Sequence, residues 1–147
     1  MAIIDRNKKP YVSDRDESVF IGIELPFRKS NGSDGYFAST TTTIEAVKNN
    51  IKLLLQTQQG ERLLQPNLGM DLRRFLFEQF TQETSIAIET DIVDTFTKWL
   101  PFVEIQDIKV SMDDNGDIGK NKLSIYIEFN IIRDPNTLES VQVEIGE

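Results

Sequence analysis

Lys122-Leu123-Ser124-Ile125-Tyr126-Ile127-Glu128-Phe129-Asn130-Ile131 is the stretch that sets the fold class. Leu123, Ile125, Ile127, Phe129 and Ile131 alternate with Lys122, Ser124, Tyr126, Glu128 and Asn130. A period of two turns one face of a strand to a core and the other to water. The same period holds on either side, at Ile108, Val110 and Met112 before it and at Val141, Val143 and Ile145 after it. Asp113-Asp114-Asn115-Gly116-Asp117 and Asp134-Pro135-Asn136 have the residue types that tolerate turn geometry. The reading is three antiparallel strands with one apolar face.

Upstream of residue 103 the period becomes helical. Ile88, Ile92, Phe96, Trp99 and Leu100 make one stripe, Thr81 stands at its start as a cap, and Pro101 closes it. Before that, Leu72, Phe75, Leu76 and Phe80 form a second stripe, with Asp71 placing negative charge at its start. A further helix is predicted at about residues 43 to 58. Thr42-Thr43-Ile44-Glu45 fits a capping box, Ile44, Val47, Ile51, Leu54 and Leu55 share a face, and Gly60 supplies a left-handed stop. The expected fold is therefore α+β, with three helices on one face of a small antiparallel sheet of about three strands. Residues 43–147 are read as a single domain and residues 1–42 as an extended N-terminal arm. In the arm, Asp14-Arg15-Asp16-Glu17 is a charged run, Val19 to Phe27 is apolar enough for a short strand or anchor, and Lys29 to Gly35 is a glycine-bearing loop.

Composition removes whole classes of function. Without cysteine or histidine there is no disulfide, no Cys/His zinc site, no cysteine nucleophile and no Ser-His-Asp triad. Sixteen Lys and Arg against 24 Asp and Glu leave a net charge of -8, which opposes attachment to nucleic acid or anionic membrane. The basic pairs Arg28-Lys29 and Arg73-Arg74 lack an interleaved aromatic platform. No apolar run approaches the ~20 residues that span a bilayer, and Met1-Ala2-Ile3-Ile4-Asp5-Arg6 lacks the apolar core of a signal peptide. The chain is expected to stay in the compartment where it is made.

Three constellations invite a site reading. Were Gly116 the sixth residue of a calcium loop, Ser111 and Lys122 would hold its first and twelfth places, where the motif needs Asp and Glu; a hairpin turn fits better. Glu61 and Glu78 flank the connection between two helices, but nothing in their spacing marks a buried acid beside a base across a sugar cleft. The connection itself, Gly60-Glu61-Arg62-Leu63-Leu64-Gln65-Pro66-Asn67-Leu68-Gly69-Met70-Asp71-Leu72, is too apolar for an ordinary solvated linker. Glu61 and Arg62 are expected to brace this elbow from within, the guanidinium folding over buried carbonyls or a carboxylate, while Pro66 and Gly69 set its turn.

Taken together, the helix ending Leu53-Leu54-Leu55-Gln56-Thr57-Gln58-Gln59, the spaced Gly60-Glu61-Arg62, Pro66, Gly69 and Leu72, and Phe75-Leu76-Phe77-Glu78 resemble the baseplate wedge protein, or sheath initiator, family of contractile-tailed phages. That family is similar to baseplate components of type VI secretion systems. The resemblance spans roughly residues 40 to 147 and implies a structural protein of the virion tail baseplate, assembled in the host cytoplasm, with no catalytic residue, metal or cofactor. The partners it implies are the helical core bundle of the wedge proteins and arms of the sheath protein that add strands to the sheet, with tail tube or hub proteins nearby. Nucleic acid, membrane and small-molecule substrates are not among them. It directs attention to the outer strand with Val141, Val143 and Ile145, and to Trp99-Leu100-Pro101-Phe102. Many members carry Glu-Pro-Arg where this chain has Leu100-Pro101-Phe102, so an apolar contact is expected there in place of a charged one. Two other readings stand beside it: a lysozyme-like cell-wall hydrolase of the tail, and an adaptor module outside any phage.

Overall fold

The computed structural model describes residues 20–30, 35–114, 121–132 and 134–146, in two compact units divided between Asn50 and Ile51. The charged run at 14–17, Val19 and the loop centre at 31–34 lie outside the described residues.

In the first unit Gly22–Ile23 (β1) pairs antiparallel with Ser39–Thr40 (β2), Gly22 opposite Thr40. The ribbon continues past a cis Leu25–Pro26 bond, where the Ala38 N–H donates to the Arg28 carbonyl at 2.9 Å and the Ser30 N–H to the Tyr36 carbonyl at 3.0 Å. Its root rests on the first helix, α1 (Thr43–Gln56), through the Asn49 side-chain amide, which donates to the Ile23 carbonyl at 3.2 Å. Thr42 Oγ1 accepts the Glu45 N–H at 3.4 Å, the cap that the Thr-x-x-Glu spacing predicts.

In the second unit the end of α1 buries Ile51, Leu54 and Leu55. The chain then turns through the elbow into a 3₁₀ segment, Leu72–Phe77, where a regular second helix was expected. The reason for this correction is local. Asp71 makes no side-chain cap, its Oδ1 accepting instead from Gln58 Nε2 at 3.2 Å, and Glu78 is already extended. Only about two turns remain for a tight helix that buries Leu72, Phe75 and Leu76. Helix α2 (Gln82–Trp99) follows; Thr81 Oγ1 accepts the Thr84 N–H at 3.3 Å, and Ile88, Ile92 and Phe96 face inward.

The sheet comprises β3 (Val103–Asp114), β4 (Asn121–Ile131) and β5 (Asp134–Gly146), antiparallel in the order β3-β4-β5. The register lines the alternating residues into rows: Met112, Leu123 and Ile145; Val110, Ile125 and Val143; Ile108, Ile127 and Val141. Leu123, Ile125 and Ile127 are fully buried, and each such side chain contributes roughly 1.5–3 kcal/mol. Helix α2 packs on β3, and the 3₁₀ segment packs on β4 and β5, tied there by Asn121 Nδ2, which donates to the Leu76 carbonyl at 2.7 Å. Of the first expected turn, Asp113 and Asp114 belong to β3, and residues 115–117 lie outside the described residues. The second turn is tighter than expected: Ile131 already pairs with Asp134, so Asp134-Pro135-Asn136 belongs to β5. Proline is tolerated there because it sits at the start of an edge strand.

Candidate functional site

The elbow is a closed structure. The Gly60 N–H donates to the Pro66 carbonyl at 2.8 Å, the Gln65 N–H to the Arg62 carbonyl at 3.2 Å, and the Met70 N–H to the Thr57 carbonyl at 3.0 Å. Gly60 and Gly69 have positive φ, +91° and +95°, as the turn needs. Glu61 Oε2 accepts the Gln58 N–H at 3.1 Å. The Arg62 side chain is exposed and makes no hydrogen bond or ion pair among the described residues; only its backbone carbonyl contributes. Backbone bonds, with Glu61 on the Gln58 N–H and Gln59 Nε2 donating to the Gly69 carbonyl at 3.2 Å, close the turn without the guanidinium. Pro66 is exposed and acts through its carbonyl, whereas Gly69 is buried.

The four residues Trp99 to Phe102 divide between core and surface. Leu100 is buried and its N–H donates to the Phe96 carbonyl at 2.8 Å, ending α2. Trp99 is half-buried with Lys98 Nζ 5.2 Å from its ring, Pro101 is exposed, and Phe102 is 42% exposed. The Phe102 carbonyl accepts the Ile132 N–H at 3.0 Å, joining this corner to the β4–β5 turn.

Val141, Val143 and Ile145 all lie on the buried face. They hold β5 against the core, and the side chains left outside are those of Gln142 and Glu144, the latter paired with Lys122 at 2.5 Å. The outer edge of β5 has no strand beside it among the described residues.

Three grooves stand out among the described residues of this unit. One, of about 810 Å³, runs between α2 and β3 and is lined by Ile86, Val93, Ile105 and Ile132 together with Glu89 and Glu104. Its signal in the sequence is faint: Ile86 and Val93 are seven residues apart and off the buried stripe of α2. A polar groove of about 360 Å³ behind the elbow holds the Arg74–Asp91 pair (2.9 Å) and Trp99, and one of about 240 Å³ adjoins the end of β5. Glu61 and Glu78 are exposed and line none of the three, so neither carboxyl has the apolar surroundings that a general acid needs. The sequence reading also passed over Leu63 and Leu64, which are 98% and 97% exposed at the tip of the elbow. Two adjacent leucines between a glycine stop and a proline were the available signal.

Against known proteins, the family model described as "Baseplate wedge protein gp25" matches residues 41–136. The chain is 23% identical over 108 residues to the baseplate wedge protein gp25 of Enterobacteria phage T4, across 74% of this chain and 79% of that one. Among solved structures it is similar to a chain of the anti-feeding prophage baseplate, with a TM-score of 0.61 and 24% identity over 75% of this chain and 83% of the other. A Geobacter sulfurreducens chain provisionally described as a tail lysozyme has a TM-score of 0.60 and 24% identity, over 74% and 93%. At that identity the structural likenesses establish the shared fold and no activity. With almost two thirds of its length, elbow and first two sheet strands included, matched by the family model, the chain belongs to the baseplate wedge protein gp25 family.

Proposed function

We propose that the protein binds wedge partners around Trp99, Pro101 and Phe102, near the tail tube and hub, and offers the outer edge of β5 to an arm of the sheath protein, so that the sheet serves as a template for sheath assembly. Its membership of the wedge family makes it a component of the phage baseplate, part of the virion tail. Among the described residues no helix is long and apolar enough to cross a membrane.

One observation carries the templating role. Val141, Val143 and Ile145 are committed to the core while β5 has, among the described residues, a strand on one side only, so what remains for a partner is a row of backbone N–H and C=O groups. Such an edge accepts an extended segment through main-chain hydrogen bonds. The family is structural, and Glu61 and Glu78 are exposed and line none of the three grooves, so the hydrolase reading of that pair gains nothing from the geometry.

The test is residue-resolved hydrogen exchange with and without the sheath protein. Every second amide from Leu138 to Gly146, the set turned away from β4, should gain protection when sheath assembles. Sheath assembly on this protein with no gain of protection in β5 would sink the proposal.

A further inference from the structure

We propose that Arg62, Leu63 and Leu64 form a rigid docking knob that enters an apolar pocket bordered by a carboxylate on another protein of the same assembly. The inference rests on the reading of this chain as a baseplate component, but it concerns a surface separate from the sheet edge and from the Pro101 corner.

Three observations converge on the knob. Every other large exposed hydrophobic side chain among the described residues keeps at least a quarter of its surface covered, the most exposed being Phe77 at 75%; Leu63 and Leu64 reach 98% and 97%, side by side. Single exposed leucines are ordinary, but two adjacent ones with no cover at all are not what a solvated turn selects. The backbone beneath them is fixed by the Gly60–Pro66, Gln65–Arg62 and Leu68–Gln65 hydrogen bonds, at 2.8, 3.2 and 3.0 Å. A loop already ordered before it meets its partner loses little conformational freedom on binding.

The third observation is charge. The chain has 24 carboxylate side chains against 16 cations, yet the Arg62 guanidinium pairs with none of them among the described residues, and its neighbour Glu61 is turned to the Gln58 N–H. An arginine held out beside two leucines is matched by a pocket with an apolar floor and an Asp or Glu at its lip, where the planar fork makes two parallel hydrogen bonds. The net charge of -8 argues against the other apolar acceptor, an anionic lipid surface.

The experiment places a benzophenone amino acid at position 64 and irradiates assembled tails. The expected result is a cross-link to another baseplate protein, mapped by mass spectrometry to a segment that bears an Asp or Glu. In parallel, the double variant Leu63→Ser, Leu64→Ser should keep the thermal midpoint of the wild type and enter baseplates about tenfold less well. Arg62→Glu should show the same loss and be restored by a Lys at the mapped carboxylate. Normal incorporation of the double variant overturns the proposal, as does protein present in tails without a cross-link at position 64. Binding of the purified protein to phosphatidylglycerol vesicles that depends on Leu63 and Leu64 also overturns it. Absence of the protein from tails overturns the baseplate reading itself, and the knob with it.

Discussion

A β-carbon on Gly69 would fall 2.1 Å from the carbonyl oxygen of Thr57, the same oxygen that accepts the Met70 N–H at 3.0 Å. The close approach and the hydrogen bond are one device: the chain leaving the elbow lies against the end of α1 because residue 69 has no side chain. Gly69→Ala should therefore cost about 2–4 kcal/mol and lower the thermal midpoint by on the order of 10 °C. Gly60 has nearly the same φ but nothing within 4 Å of its would-be β-carbon, so Gly60→Ala should cost only about 1 kcal/mol. Equal losses from the two substitutions would refute this account.

At the start of α2, Thr81 Oγ1 satisfies the Thr84 N–H. Thr81→Ala removes that acceptor from the first turn, and a loss of about 1 kcal/mol is expected, with Thr81→Ser retaining most of it. Urea unfolding should show a lower midpoint with an unchanged slope.

Leu100 and Phe102 are separated by one proline and differ in fate. Leu100→Asp buries a charge with no partner and should destabilise by more than about 3 kcal/mol. Phe102→Asp should remain within about 1 kcal/mol of wild type, because the ring is already 42% exposed, while association with wedge partners is lost. Circular dichroism separates the two. A folded Phe102→Asp protein that assembles normally would remove this residue from the contact surface.

Core and elbow tip should separate just as sharply. Phe96 is 1% exposed, and Phe96→Ala should cost about 3–5 kcal/mol through the cavity that it opens. Leu63→Ala should change stability by no more than about 0.5 kcal/mol. Thermal or denaturant unfolding of the isolated protein measures both.

Much of the sheet was legible because alternation has a direct cause: Leu123, Ile125, Ile127 and Phe129 are the buried side of β4, and the partners of β4 repeat the pattern. The 3₁₀ segment was not, since Leu72, Phe75 and Leu76 at i, i+3 and i+4 have the spacing of an α-helical face, and a run of two turns is too short to expose the difference. The turn role of Pro66 and Gly69 could be read from residue type, but the approach of Gly69 to Thr57 depends on how two distant stretches meet. Arg62 shows the limit for site residues. A guanidinium suits a buried brace and an exposed contact alike, and only the folded backbone says on which side of the loop it stands. Val141, Val143 and Ile145 carry the same ambiguity: a period of two marks a buried face without saying whether core or partner does the burying.

The strand order β3-β4-β5 also has a consequence in time. Each strand pairs with its neighbour in the chain, so the sheet needs two hairpin closures, each on the order of 1–10 μs, and no search for a crossover. The longer wait belongs to contacts such as Asn121 with the Leu76 carbonyl, 45 residues apart, whose loop must close before the 3₁₀ segment can settle on β4. On these grounds the sheet is expected to form before the 3₁₀ segment docks on it.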